Sequence, residues 1–350
     1  MGIHKSNRST VNLDYVRILD YLGNLDIYST LCICTFKRPE ELNKLITILL
    51  KFNYLPKEII IVDGSGNRES YDSVREVISS SGKDINFIYV FSPAGLTLQR
   101  NVGLDLSRGK VIHYIDDDCI PLVDYFETID KFFELNIDYG AITGNIINEY
   151  SFRPGFRHRI RTSMGIYPKD GNPGTYYCNG SSVPKGLISP PMENCDIDIM
   201  SGASMSMRKT VLVEVGGFSP FFDGYSQGED IEISLRIKRI SKIKLLAGAK
   251  CNHYHTPSSR PNLRKKGQME VYNRFVIWSI HSPNKNLSCQ IKMWLDFSLL
   301  SIIALFMFIK SLKGSYFNYF LGYCMGIQKS IFNRSISENQ RIVFYSLKNK

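Results

Sequence analysis

Between residues 30 and 148 the chain alternates short β-rich apolar runs with stretches of helical spacing, and this pattern narrows the possible folds more than any other feature. Thr30 to Phe36 (TLCICTF) reads as a buried strand. Pro39 then opens a helix at the first-turn position, where its missing N–H has no partner to lose. Leu42, Leu45, Ile46 and Leu49 follow at spacings of three, four and seven. Glu58 to Val62 (EIIIV) is a second strand, ending in the turn cluster Asp63-Gly64-Ser65-Gly66. Ile85 to Phe91 is a third strand, Leu96 to Leu106 a helix, and Lys110 to Ile115 (KVIHYI) a fourth strand. Such alternation predicts an α/β fold: a mostly parallel sheet with helices on both faces. Ligands of these sheets bind beyond the carboxyl ends of the strands. Thr35, Arg38, Asp63 and Asp116 to Asp118 all fall there, so one cleft collects them.

With 350 residues and ~150 per domain, there is room for one large α/β domain plus an appendage, or for two domains. An apolar share of 43% and a charged share of 22% exclude a disordered chain, a collagen and a coiled-coil rod. The eight cysteines include no C-x-x-C pair and no Cys/His spacing that closes a zinc site, so reduced thiols in a cytosolic compartment are expected. Residues 1–10 lack the apolar core of a secretory leader. They do match the short M-G-x-x-x-[ST] pattern through Gly2 and Ser6.

Net charge is 43 − 33 = +10, and its position is informative. Ile231 to Arg274 holds eleven Lys/Arg and two Asp/Glu, a local 11 − 2 = +9. Charge alone most often means a solvated face; as a binding signal it fits nucleic acid or an anionic membrane surface. The adjoining C-terminal segments point to membrane rather than nucleic acid. Phe297 to Ile309 (FSLLSIIALFMFI) and Gly314 to Gln328 (GSYFNYFLGYCMGIQ) are uncharged, and each is shorter than the ~20 residues of a spanning helix. They read either as buried core helices or as segments lying in a membrane interface, with Gly322 and Gly326 allowing two helices to approach closely. Lys and Arg beside an anionic leaflet contribute ~1 kcal/mol each, which favours attachment.

Residues 149–195, with Arg153, Arg157, Arg159 and Arg161, read as an irregular insertion over the cleft, a lid. Beyond it, Asp198 to Met207 looks extended. Gly228 to Ile240 looks helical, with Ile233, Ile237 and Ile240 on one face.

The strongest chemical signal is Asp116-Asp117-Asp118 after an apolar strand. Adjacent carboxylates repel, and a divalent cation is one counter-charge. In an extended segment Asp116 and Asp118 point the same way. Oxygen ligands suit Mg²⁺ or Mn²⁺, ions that often share their shell with substrate phosphates. A solvated acidic turn is the bland alternative. Glu229-Asp230 opens a helix, where carboxylates favour the dipole; a catalytic base is the functional reading. His253-x-His255 places two imidazoles on alternate positions, of which one suffices to complete a metal shell.

These pieces occur together, in this order, in a known family. The chain resembles the family 2 glycosyltransferases, inverting enzymes of GT-A fold, a Rossmann-like sheet flanked by helices. The likeness runs from Thr30 to Arg260 through CTFKRPEEL (34–42), IIIVDGS (59–65), LQRNVGLDLSRGKVIHYIDDDCIP (98–121), SGASMSMRK (201–209) and VGGFSPFFDGYSQGEDIEISLRIKR (215–239). It implies a catalytic domain at 29–260 containing the 149–195 lid, an N-terminal extension at 1–28 and a helical, membrane-associating region at 261–350. By the same resemblance Asp63 contacts a nucleobase, Thr35 and Arg38 contact the nucleotide, and Arg100 contacts the donor. Asp116 and Asp117 belong with the donor. Asp118 ligates the metal, helped by Asp116 and by His255, with His253 second because the register is ambiguous. Glu229-Asp230 is the base pair, with Asp230 favoured. Gly64 departs from members that carry a second acid there. The lack of Q-x-x-R-W departs from the processive synthases and favours one sugar per encounter.

The implied cofactor is Mn²⁺ or Mg²⁺. The implied partners are a nucleoside diphosphate sugar, a glycan or lipid-linked saccharide acceptor and an anionic membrane surface, without nucleic acid. The implied location is the cytoplasmic face of a membrane. A nucleotidyltransferase of similar fold would need a glycine-rich loop where this chain has CTFKRPEEL. A non-catalytic membrane- or nucleic-acid-binding protein would rest on the charge alone. A catalytically dead relative is disfavoured because Asp63, Asp116, Asp118, Glu229 and Asp230 are all in place.

Overall fold

A computed structural model describes residues 14–19, 27–149, 155–167, 174–182, 193–222, 224–256, 262–282 and 284–333. The Gly2 and Ser6 pattern, the residues 1–10 and Arg153 lie outside the described residues.

The first half follows the alternation closely. The elements are β1 (Asp14–Leu19), β2 (Ser29–Thr35), α1 (Pro39–Leu49), β3 (Glu58–Asp63), α2 (Glu69–Ser79), β4 (Asn86–Phe91), α3 (Leu96–Leu106) and β5 (Val111–Asp116). Strands β4, β3, β2 and β5 lie side by side and parallel, with β1 antiparallel at the edge of β4. Side chains alternate across this sheet. Leu31, Ile33, Ile59 and Ile61 face one core with Leu42, Leu45, Ile46 and Leu49 of α1, while Cys32, Ile60 and Val62 face the other. Pro39 stands at the start of α1.

The second half is mixed rather than mostly parallel. It contains β6 (Cys119–Pro121), α4 (Tyr125–Leu135), β7 (Tyr139–Ile146), α5 (Phe156–Ser163), β8 (Cys195–Asp196), β9 (Ser204–Arg208), α6 (Lys209–Glu214), α7 (Glu229–Ile237) and β10 (Lys242–His253). Strand β9 runs antiparallel between β5 and β7, and β10 continues the sheet parallel to β7, with β6 on its outer edge. The stretch expected to be extended from Asp198 is strand only from Ser204; before it, the Ser204 N–H donates back to the Ser201 carbonyl and closes a turn. Ile233 and Ile237 are buried as expected, but Ile240 lies past the end of α7 and is exposed.

Three helices close the chain: α8 (Leu263–His281), α9 (Leu287–Ser311) and α10 (Gly314–Phe332). Both uncharged runs are helical, and the first is the distal part of a longer helix of 25 residues. Gly322 and Gly326 do allow close approach, and the neighbour is α8: a Cβ on Gly322 would sit 2.3 Å from the Arg264 carbonyl oxygen, and one on Gly326 2.7 Å from Val271 Cβ. The α8–α9–α10 layer has its own core around Val271, Phe275, Met293, Phe297, Leu300 and Tyr323.

The described parts of the 149–195 insertion are pinned to this layer. Arg161 pairs with Asp296 of α9 at 2.6 Å, and Arg157 donates to Tyr323 Oη of α10 at 2.6 Å. Cys178 is disulfide-bonded to Cys289 of α9. The expectation of uniformly reduced thiols is therefore corrected for this pair, which is 111 residues apart in sequence and leaves no local spacing signal. Disulfides persist in oxidising compartments, so the cytosolic expectation loses the support it drew from the cysteines.

The basic segment is also less bare than its sequence implies. Arg236 pairs with Glu232, Lys238 with Asp198, Lys242 with Asp138, Lys244 with Asp196 and Arg274 with Asp296. Four of these five acids lie outside the Ile231 to Arg274 stretch, so a count along the chain overstates its free charge.

Candidate active site

The ends of β2, β5 and β10 and the start of α7 build the site, with Thr35 at the end of β2. Strand β5 delivers Asp116, and Asp117-Asp118 form the turn into β6. The first turn of α7 delivers Glu229 and Asp230, and the end of β10 delivers His253. Gly228 precedes α7 with φ +95°, a left-handed conformation that a side chain would strain, and so turns the chain sharply into the helix.

The three aspartates diverge. Asp117 turns to the β2 side, where its Oδ2 accepts from Thr35 Oγ1 at 2.8 Å and its Oδ1 from Arg38 Nη1 at 2.8 Å. Asp118 Oδ2 accepts from Thr256 N at 2.9 Å and from Arg38 at 3.3 Å, and its Oδ1 faces His253 Nε2 at 3.2 Å. Asp116 Oδ1 accepts from Arg100 at 3.3 Å. Arg38, Arg100 and His253 thus supply counter-charge from the protein itself, beside any that a divalent cation would bring. Burial raises the Asp118 pKa, yet the His253 hydrogen bond, its charge and that of Arg38 outweigh burial and hold it at about 2. Burial pushes Asp117 up to about 7, against the pull of Arg38.

Two groups of side chains have metal-ligand spacing. The donor atoms of Asp116, Asp118 and His253 lie within 4.8 Å of one another, as do those of Glu149, His253 and His255. Carboxylate oxygens with an imidazole fit a divalent cation of the Mn²⁺ or Mg²⁺ kind. Glu149 is the residue the sequence did not reveal. Its Oε1 accepts from His253 Nδ1 at 2.7 Å and from His255 Nε2 at 2.6 Å. This grip turns the other His253 nitrogen towards Asp118. Burial lowers the His253 pKa, but its bonds to Asp118 and Glu149 more than offset that and raise it to about 10. To ligate a metal it must give up a proton.

Arg100 joins the two halves. Its guanidinium, almost wholly buried, pairs with Glu229 Oε1 at 2.8 Å and also binds Asp116 and the Gly202 carbonyl at 2.9 Å. Glu229 is thereby tied back. Asp230 instead accepts from the backbone N–H of Gly202 at 3.1 Å and of Ile231 at 2.8 Å, and its carboxylate stands at a cavity wall. Burial, then the neighbouring Asp230 charge, push Glu229 up to about 8. Burial raises Asp230 as well.

A cavity of about 610 Å³ is lined by Thr35, Arg38 and Asp116 to Asp118, together with Tyr225, Gln227, Lys265 and Lys266. A second cavity, of about 380 Å³, is lined by Glu149, Ser201, Gly202, Glu229, Asp230 and, from α8, Met269, Glu270, Asn273 and Arg274. The two share Leu96, Asp116, Tyr225, Gln227, His253 and His255, so they form one cleft. Two expected donor residues line neither chamber. Asp63 is buried with Oδ1 held by Ser65 and Oδ2 accepting from Tyr89 Oη at 2.7 Å. Arg100 lies behind the wall it braces.

A family model described as glycosyl transferase family 2 matches residues 30–215, more than half the chain. The chain belongs to glycosyl transferase family 2. Among relatives of this family 2 chain, the glucosyl-dolichyl phosphate glucuronosyltransferase of Haloferax volcanii is 25% identical over 214 residues, covering 59% of this chain and 61% of that protein. A probable N-acetylgalactosaminyltransferase 6 of Caenorhabditis elegans is 25% identical over 227 residues, covering 63% of this chain and 35% of that protein. The chain therefore spans about three fifths of the first relative and a third of the second. Among solved structures, the mannosyltransferase PcManGT of Pyrobaculum calidifontis, in complex with GDP-Man and Mn²⁺, superposes with a TM-score of 0.53 at 11% identity over 89% of each chain. That likeness shows a shared GT-A glycosyltransferase fold.

Proposed function

We propose that this chain is an inverting glycosyltransferase that moves one sugar from a nucleoside diphosphate sugar to a hydroxyl of a glycan or lipid-linked saccharide, in the building of a cell-surface polysaccharide or glycoconjugate. The observation that carries the reading is the two-chambered cleft. One chamber is lined by the aspartates, Thr35 and Arg38, the other by Asp230, and Asp116 and His253 stand at their junction. On this reading residues 29–260 carry the transfer chemistry, α8 walls the cleft, and the helices after it hold the enzyme at a membrane. The larger chamber takes the donor. Arg38, Lys265 and Lys266 place positive charge around the diphosphate, and Thr35 and Asp117 set the Arg38 guanidinium.

Asp116, Asp118 and His253, with His255 beside them, would hold Mn²⁺ or Mg²⁺. Such an ion, when bound, offsets negative charge on a diphosphate. The acceptor hydroxyl enters the second chamber, and Asp230 takes its proton as the oxygen attacks the anomeric carbon, whose bond to the diphosphate oxygen breaks so that the nucleoside diphosphate leaves from the opposite face. General-base help of this kind typically contributes ~10²–10⁴-fold. Glu229 is poorly suited to that task because Arg100 holds its oxygen, whereas Asp230 is fixed by two backbone N–H groups that leave it at the chamber wall.

The test uses two variants and two readouts. Asp230→Asn is expected to bind donor like the parent and lose transfer by at least ~10²-fold. Asp118→Ala is expected to lose metal-dependent donor binding, followed by thermal stabilisation with a panel of nucleotide sugars and Mn²⁺. Full transfer activity in Asp230→Asn would overturn the base assignment. Absence of stabilisation by any nucleotide sugar would overturn the reaction class.

A further inference from the structure

Helix α9 is the one helix among the described residues long and apolar enough to cross a membrane. Its surroundings argue that it lies flat instead. Leu287, Ile291, Leu295, Ile302, Phe306 and Ile309 are 45–71% exposed. At about 100° per residue they fall within roughly 100° of arc, an apolar stripe running ~33 Å along the helix. The opposite face is committed to the protein. Asp296 is fully buried there, its two oxygens paired with Arg161 at 2.6 Å and Arg274 at 2.8 Å. Cys289, on that committed face, is bonded to Cys178. A crossing helix would have to abandon both ion pairs and carry Asp296 into hydrocarbon.

The charges beside the stripe select its occupant. Residues 284–333 contain five lysines (Lys285, Lys292, Lys310, Lys313 and Lys329) and one acid, the buried Asp296. Lys292 and Lys310 are exposed and share one edge of the stripe. A second copy packed through the same patch would set like charges against each other, whereas an anionic bilayer complements them. Long lysine side chains keep their ammonium groups at headgroup level while an apolar stripe enters the acyl boundary.

We propose that the outer face of α9 docks in the plane of an anionic phospholipid bilayer. The proposal deepens the membrane-acceptor reading above and rests on it for its purpose. Arg274 of α8 lines the smaller chamber and also pairs with Asp296 of α9, so that chamber sits one helix layer above the lipid, within reach of a saccharide on a membrane-embedded carrier.

The experiment is flotation of the full chain with vesicles, without substrate. The parent is expected to float with phosphatidylcholine vesicles containing about 30% phosphatidylserine and not with pure phosphatidylcholine. Ile302→Glu/Phe306→Glu is expected to lower binding at least tenfold, with melting temperature and Mn²⁺-dependent nucleotide-sugar binding unchanged. Lys292→Gln/Lys310→Gln/Lys313→Gln is expected to lower it about 100-fold, at about fivefold per lysine. Equal flotation of the glutamate variant, or equal binding of the parent to neutral vesicles, would overturn the proposal. So would a parent dimer that the glutamate variant dissolves while neither floats; that result would assign the stripe to a second copy. Because nucleotide-sugar binding is read separately, loss of docking and failure of the transferase reading give different results.

Discussion

Arg100 is the largest fully buried side chain among the described residues, and its guanidinium is divided between Glu229, Asp116 and the Gly202 carbonyl. Replacing it by Met keeps much of the volume and leaves Glu229 buried without its partner. Leaving a buried hydrogen-bonding group unsatisfied costs about 1–3 kcal/mol, so Arg100→Met is expected to lose stability of at least that order in urea unfolding. Glu149 belongs to the metal group in another way, by gripping His253 and His255. Outer partners of metal-binding histidines typically affect affinity by about 10–100-fold, so on the proposed metal site Glu149→Gln is expected to weaken Mn²⁺ binding by that factor in calorimetry, with the fold intact. The two kinds of residue differ in legibility. Asp116 to Asp118 announce themselves as adjacent like charges after a strand. Glu149 is a single acid just past β7, 104 residues from His253, and only the parallel β7–β10 pairing brings the two together.

At the level of elements, the parallel strands and α1 and α3 are readable because each is a local pattern: a β-rich apolar run, a helical spacing, a proline at a first turn. The antiparallel insertion of β9 is not readable, since a strand of five residues carries no label for its neighbours. Helix α8 is deceptive in another way. Its lysines read as part of a surface-binding stretch, whereas Lys265 and Lys266 line the larger chamber. The seam that holds α8 in place is narrow at Gly322, where a Cβ would meet the Arg264 carbonyl at 2.3 Å. Overpacking commonly costs about 1–3 kcal/mol, sometimes more. Gly322→Val is therefore expected to lower the melting temperature and, because α8 walls the cleft, to weaken nucleotide-sugar binding in the folded fraction as well.

Across the whole molecule, α7 and the C-terminal layer are joined by a buried ionic knot. Glu232 of α7 binds Arg236 at 2.6 and 2.8 Å and His281 of α8 at 3.0 Å. Burial raises the Glu232 pKa, but the Arg236 charge and the His281 hydrogen bond more than offset it and hold it at about 2, below the ordinary glutamate value of 4.5. A carboxyl lowered on folding stabilises the fold above its unfolded pKa and loses that contribution as the pH falls towards the folded one. Stability is thus expected to fall between about pH 4.5 and 2, and Glu232→Gln to flatten that acid limb in melting curves taken from about pH 6 to 3. The last helices are tied to the cleft as well as to one another: α8 faces the cleft with one side and rests on α9 and α10 with the other. Anyone seeking a trimmed, easily handled enzyme would meet this directly. Cutting away the apolar end would also remove the backing of one wall of the cleft, so a shortened chain is expected to trade easier handling for a loosened cavity.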